Sequence, residues 1–368
     1  MSEAAATPGP SPAEIGDEWA AIEAGSRGRA LLVIAALVAG LAGVALAGGA
    51  VGAYPIPPSE VIGSVLRWAG LSSSEPADPI AEQVLHEIRF PRVVLGVIVG
   101  STLATAGAAL QGMIRNPLAE PGIVGVSSGA ALGASLQIVT GVLWFGSLTL
   151  AAAAFVGGLV AVAVVYLLAR SERGIEVVTL ILTGIAVNAF VGALIGLMIF
   201  VSDDAELRGI TFWTLGSLAQ STWTKVGIVT PFAVAGLAVS LALARRLDLL
   251  ALGDASAGHL GVAVRRTHVA ILLVVAGLTA AAVSVSGQIL FVGLVVPHVV
   301  RLAVGPSHRL LLPASALLGA IVLVGADLAA RTIARPAELP LGVLTALIGA
   351  PWFMWLVRRN RAAHGGWG

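Results

Sequence analysis

Residues 267–304 read THVAILLVVAGLTAAAVSVSGQILFVGLVVPHVVRLAV. As one helix this stretch would reach ~57 Å at 1.5 Å per residue, nearly twice the ~30 Å hydrocarbon core of a bilayer. A break at Gly287-Gln288 gives two crossings, 267–287 and 289–304, and these fit a membrane better than one. With that break the chain counts ten spans. The other eight lie at roughly 30–51, 91–113, 122–141, 148–169, 176–201, 225–245, 312–331 and 340–357. Five spans per half put the two halves in opposite orientation, a common plan in transporters. A faint internal echo agrees: Ala106-Gly107 with Asn116-Pro117 in the first half, Ser286-Gly287 with Pro297-His298 in the second.

Composition supports the membrane reading. Of 368 residues 57% are hydrophobic and 11% charged, less than half the ~25% of a soluble domain. Mean hydropathy is +0.96. The fold expected is an all-α polytopic membrane protein. A net charge of +1 argues against a nucleic-acid partner. Cysteine is absent, so disulfides, thiolate metal sites and a Cys nucleophile are excluded. Lys225 is the only lysine and sits in Trp-Thr-Lys-Val-Gly, so there is no P-loop, which needs Gly-Lys-Ser/Thr. The spans also lack a row of buried ionisable residues of the kind ion-coupled transporters use. The chain therefore needs an energy source outside itself.

The basic residues orient it. With the N-terminus inside, fourteen of the 21 Lys and Arg fall on the cytoplasmic side and seven outside, as the positive-inside rule requires. Residues 1–29, with Pro8, Pro10, Pro12 and then Glu14, Asp17, Glu18 and Glu23, read as a disordered or loosely helical cytoplasmic tail; 30–358 is the ten-span domain, and 359–368 a second cytoplasmic tail. Outer loops 52–90 and 202–224 carry Trp68, Trp213 and Trp223, as interfacial aromatics should be placed. The long inner loop, 246–266, holds Leu249, Leu250, Leu252 and Leu260 around Gly253 and Gly261. A loop facing water would not normally show so many leucines; two short helices docking on another protein would.

Three motif blocks stand in order: Arg89-Phe-Pro-Arg92 followed by Gln111-Gly-Met-Ile-Arg-Asn-Pro-Leu-Ala-Glu-Pro-Gly122; Phe291-Val-Gly-Leu-Val-Val-Pro-His-Val-Val-Arg301; and Glu338-Leu-Pro-Leu-Gly342 with Gly349-Ala-Pro351. In these the chain closely resembles the FecCD-type permease subunits of ABC importers for iron–siderophore complexes, haem and cobalamin, over about residues 30 to 360. The resemblance implies a bacterial cytoplasmic (inner) membrane protein that pairs with a second copy of itself. It further implies two P-loop ATPase subunits, which bind the ATP and Mg, and an external substrate-binding protein. No cofactor, metal or catalytic residue is expected in the chain itself.

Site residues follow from both readings. The inner loop, with Leu252, Gly253, Asp254, His259, Leu260 and Gly261, is similar to the segment that couples the family's permeases to their ATPase. Thr179, Thr183 and Asn188 in the fifth span read either as a polar stripe on the translocation path or as interhelical hydrogen bonding. The family's gate falls at about 176–179, and here it reads Glu-Val-Val-Thr. Arg89, Arg92 and Arg331 lie outside; matching Arg-x-Pro-Arg and Ala-Asp-x-x-Ala-Arg in the cobalamin permease, they are expected to receive carboxylates of the binding protein. The plainer reading is local pairing with Glu87, Asp327 and Glu338. Asp327, four residues before Arg331, reads as an i,i+4 partner, or else as the acid of an ion-coupled transporter. Gly125-Val-Ser127-Ser-Gly129 has the spacing of a hydrolase elbow. With His298 it offers a distant alternative, an intramembrane serine hydrolase, but no strand–turn–helix surrounds it. His298 is expected to bond a carbonyl freed by Pro297. The outer segment from Asp204 to Leu218 carries Asp-x-x-Leu-Arg-x-x-Thr-Phe-Trp-x-x-Gly-Ser-Leu, similar to haem permeases more than to siderophore or cobalamin ones. Haem is the expected substrate, with a ferric siderophore or cobalamin as the alternative cargo of the same machine.

Overall fold

The computed structural model describes residues 12–171 and 174–363. The long helices are α1 (Pro12–Ala50), α4 (Phe90–Ile114), α6 (Thr149–Ala169), α7 (Val177–Val201), α9 (Trp223–Leu250), α11 (Val264–Ser286), α13 (His308–Ile333) and α14 (Leu341–Ala363). Between them lie α2 (Pro58–Trp68), α3 (Pro79–Val84), α5 (Val126–Thr140), α8 (Asp204–Leu215), α10 (Asp254–His259) and α12 (Val292–Val304). Strands β1 (Arg170–Ser171) and β2 (Gly174–Ile175) form a small antiparallel ladder. Among the described residues seven helices are long and apolar enough to cross a membrane, and three shorter apolar ones, Val126–Thr140, Val292–Val304 and Leu341–Leu356, complete the ten expected spans.

Successive crossings collect α2, α3, α8 and the 334–340 loop at one end, and α10 with the β1–β2 ladder at the other. The expected outer loops are thus partly helical. Helix α8 starts with a capping box: the Asp203 carboxylate accepts the Ala205 and Glu206 N–H groups while Glu206 reaches back to the Asp203 N–H. At the N-terminus, residues 12–29 continue α1 as helix; residues 1–11 of the expected tail, and 364–368 of the second, lie outside the described residues.

The break at Gly287 is real and has a counterpart. Gly287 ends α11 at φ +68 and its N–H bonds the Val283 carbonyl. The chain then runs irregularly to Phe291, itself left-handed at φ +67, before α12 begins. After α4 the chain does the same: Arg115 caps the helix at φ 57, and a 3₁₀ turn at Pro121–Val124 leads into α5. The thirteen residues of α12 span only ~20 Å. These two irregular segments meet. Beside them α12 presses on α4: a Cβ on Gly107 of α4 would overlap the carbonyl oxygen of Gly293 in α12, so only glycine permits this approach. Non-helical backbone at membrane depth needs internal partners, and it has them. Gln111 donates to the Ala119 and Leu294 carbonyls, the Glu120 carboxylate accepts the Phe291 N–H at 3.0 Å, and Gln288 donates to the Ser127 carbonyl at 3.0 Å.

Around this crossing the core is built from small residues. Helix α4 packs on α13, α11, α9 and α12, while α11 packs on α6. Each half therefore seats its second span against the fourth span of the other. Gly100 and Gly319 allow α4 and α13 to approach until a Cβ on either would strike the other's carbonyl oxygen. In lipid this close packing, rather than exclusion of water, holds helices together.

Candidate functional site

At the α10 end, Leu247 and Leu250 are fully buried, so α9 stays helical through Leu250. The connection is consequently shorter than 246–266: it covers 251–263 and contains one helix, α10, in place of the two expected. Gly253 (φ +102) and Gly261 (φ +85) flank α10. Ala257 is buried against the body, while Leu252 and Leu260 are 62% and 58% exposed and His259 is exposed too. Two leucines thus stand on the rim of the molecule with nothing covering them. The Asp254 side chain is 41% exposed, but its Oδ1 is buried, with Arg115 Nη2 at 3.6 Å and His268 Nε2 at 3.8 Å.

At the opposite end the three singled-out arginines are committed inside the chain. Arg89 donates to the Gly49 carbonyl at 2.5 Å, to that of Ala50 at 3.0 Å and to that of Tyr54. It therefore satisfies the open carbonyls at the end of α1, where a cation is favoured. Arg92, 7% exposed, holds Asp327 through Nε and Nη2 at 2.9–3.0 Å and Glu338 through both terminal nitrogens. Arg331 donates to the Gly48 carbonyl at 2.7 Å and lies 3.7 Å from Asp327. The i,i+4 pair is present, yet Arg92 is the tighter partner of Asp327. Local pairing with Asp327 and Glu338 is the arrangement found. The Arg92 guanidinium holds the Glu338 carboxyl below the usual glutamate range.

In α7 the expected stripe divides. Thr179 donates to Glu176 at 2.9 Å, at the α10 end. Asn188 turns away from it, accepting from Ser128 at 2.5 Å and donating to the Gly122 carbonyl at 3.1 Å. At 100° per residue Asn188 sits about 180° around the helix from Thr179, so the interhelical reading holds for Asn188. Only Thr179 and Thr183 share a face. His298 departs from expectation: its Nδ1 is buried without a hydrogen-bond partner, and the ring packs edge-on to Trp352 at 5.6 Å. Among the described residues no hydrogen bond joins His298 to Ser127, whose carbonyl accepts from Gln288. A cavity of about 610 Å³ opens at the α8 end, lined in part by Phe212, Trp213, Gln220, Lys225, Ser286 and Glu338. The residues sequence reasoning passed over are Glu120, Gln111 and Arg115, all inside the first motif block, and His268. The block was visible; the partners of Gln111 within it, Leu294 at 183 residues' distance and Arg301 at 190, were not.

This architecture is shared with known proteins. The chain is 45% identical over 282 residues to the hemin transport system permease protein HmuU of Yersinia pestis, covering 76% of this chain and 84% of that one. It is 45% identical over 305 residues to the cobalamin import system permease protein BtuC of Halobacterium salinarum, 81% of each. It is 42% identical over 324 residues to the Fe(3+) dicitrate transport system permease protein FecD of Escherichia coli, 87% and 96%. Among solved structures, a metal-chelate type ABC transporter in an inward-facing conformation superposes with a TM-score of 0.78 at 34% identity, covering 89% of this chain and 99% of that one. The model of the FecCD transport family matches residues 31–359, nearly the whole chain, and the chain belongs to that family.

Proposed function

We propose that this chain is the permease subunit of an ATP-driven importer for haem. Two copies enclose the path, two ATPase subunits seat at the α10 end, and an external binding protein docks at the α8 end. The observation that carries the reading is α10 itself, a short helix between two left-handed glycines with Leu252 and Leu260 bare on the rim. Bare leucines on a chain with no nucleotide site fit a cleft in a separate ATPase. The relatives support a transport subunit, not an enzyme, and the excess of arginine at the α10 end supports a cytoplasmic location for it and for both termini.

A second copy fits the open face of α7, where Val178, Leu182, Ile185 and Phe190 are exposed. Thr179 and Thr183 then edge the path near the cytoplasmic gate. The arginines serve docking by positioning: Arg89 fixes the end of α1, and Arg92 with Arg331 fixes α13 and the Glu338 loop, so the outer surface keeps one shape for the binding protein. Haem is favoured over other chelates by the Asp204–Leu218 pattern, since overall identity is the same to the hemin and the cobalamin relatives.

The test is ATP hydrolysis by the reconstituted complex with its binding protein carrying haem, a ferric siderophore or cobalamin. Stimulation by the haem form alone supports the proposal; stimulation by another form reassigns the cargo. Leu252→Asp with Leu260→Asp should release the ATPase while the spans stay folded. If the ATPase still co-purifies with that variant, α10 is not its seat.

A further inference from the structure

Three charged or polar groups from three separate elements converge on one point behind α10. Asp254 belongs to its first turn, Arg115 to the end of α4, and His268 to the start of α11. The Asp254 Oδ1 atom is buried and has no hydrogen-bond partner, and so is His268 Nε2. Their separation is 3.8 Å, and Arg115 Nη2 is 3.6 Å from the same oxygen. Hydrogen bonds between such groups form at 2.7–3.2 Å. Leaving a buried ring nitrogen and a buried carboxylate oxygen unpaired is unfavourable, so a shift of α10 by less than ~1 Å toward the body, with the His268 proton on Nε2, would be rewarded by charge-assisted bonds.

The surroundings permit such a shift. Both ends of α10 are glycines in left-handed or related conformations, and a Cβ on Gly261 would meet nothing within 4 Å. Arg115 is itself unexpected: it occupies the left-handed C-cap of α4, a place where glycine avoids a steric cost that any other residue bears. What the position gains from arginine is the guanidinium beside Asp254. On the far side, Arg115 lies four residues from Gln111, whose amide ties the Ala119 and Leu294 carbonyls of the two crossing segments and whose oxygen accepts from Arg301.

We infer that Asp254, Arg115 and His268 form a transmission latch, which closes when the ATPase seats on α10 and passes that displacement into α4 and α11. All three are positioning residues, and the inference rests on the proposed coupling role of α10. Helix α4 carries Gly107, which meets Gly293 of α12, the helix that follows α11, so the latch gives a polar route from α10 toward the middle of the membrane.

The experiment compares Arg115→Gly, which relieves the backbone and removes the guanidinium, with His268→Ala and His268→Gln, the latter returning an N–H near the Nε2 position. All should still purify with the ATPase, because Leu252 and Leu260 are intact. Stimulation of ATP hydrolysis by the binding protein, loaded with the chelate that stimulates the parent complex, should fall about tenfold in Arg115→Gly and His268→Ala, a usual size for coupling between sites. The double variant should be no worse than the more damaged single one, and His268→Gln should recover most of the loss. Full stimulation in either single variant, multiplying effects, or no recovery with Gln would overturn the latch, as would loss of the ATPase from these complexes. Retention of the ATPase by the Leu252→Asp, Leu260→Asp variant would instead remove the coupling role of α10 on which the latch depends.

Discussion

Arg92 grips two carboxylates of unlike standing. Asp327 is buried, whereas the Glu338 side chain is 41% exposed. Removing a buried partner strands a charge in a low-dielectric site, at about 3–5 kcal/mol, while a rim pair contributes about 0–1 kcal/mol. Asp327→Ala should therefore lower the thermal midpoint of the purified chain far more than Glu338→Gln. The smaller effect should depend on pH. Because Arg92 lowers the Glu338 pKa from its ordinary value, its contribution is complete above the normal glutamate range and fades as pH falls through the lowered value. Parent and Glu338→Gln should then differ by a constant midpoint at pH 6–7 and converge below about pH 4; a gap that widens on acidification would contradict the pairing. Sequence could reveal the Asp327–Arg331 spacing because helical neighbours recur at four. It offered Asp327 and Glu338 only as shared candidates for three arginines; that Arg92 takes both could not be read, because a contact across 235 residues leaves no local trace.

Among the helices, α7 lends itself to a direct test of facing. Thr183→Cys and Asn188→Cys would each be the sole cysteine in the chain. Cysteine at 183 should react with a water-soluble maleimide in the assembled complex, and its rate should change when ATP binds. Cysteine at 188, set against Ser128 and Gly122, should stay unreactive; equal labelling of both would restore the single polar stripe. The ten spans were readable because hydropathy is local and bilayer thickness fixes their length. The split of the stripe was readable as well, since helical arithmetic alone puts Asn188 opposite Thr179. The single helix in the inner loop was not, because burial of Leu247 and Leu250 depends on helices distant in sequence.

For the molecule as a whole, the open face of α7 decides the assembly. Gly192 and Gly196 lie on it four residues apart, and a Cβ on either would meet nothing within 4 Å. That spacing lets two membrane helices approach closely. Gly192→Cys should form a disulfide-linked pair on mild oxidation in native membranes, seen as a doubled mass on a non-reducing gel. Absence of that species, with Thr183→Cys still reactive, would place the second copy on another face. The pairing of halves was foreshadowed only by the echo of Gly107 and Gly287; that α4 and α12 meet at carbonyl contact came from the fold.

The reach of Arg92 also bears on how the chain is made. Helix α4 leaves the ribosome with a buried arginine whose two acids, Asp327 and Glu338, have yet to be synthesised. Through most of translation the early spans must wait in the lipid with that charge turned toward water or an insertion factor. A chain cut short before α13 would keep it permanently unmatched.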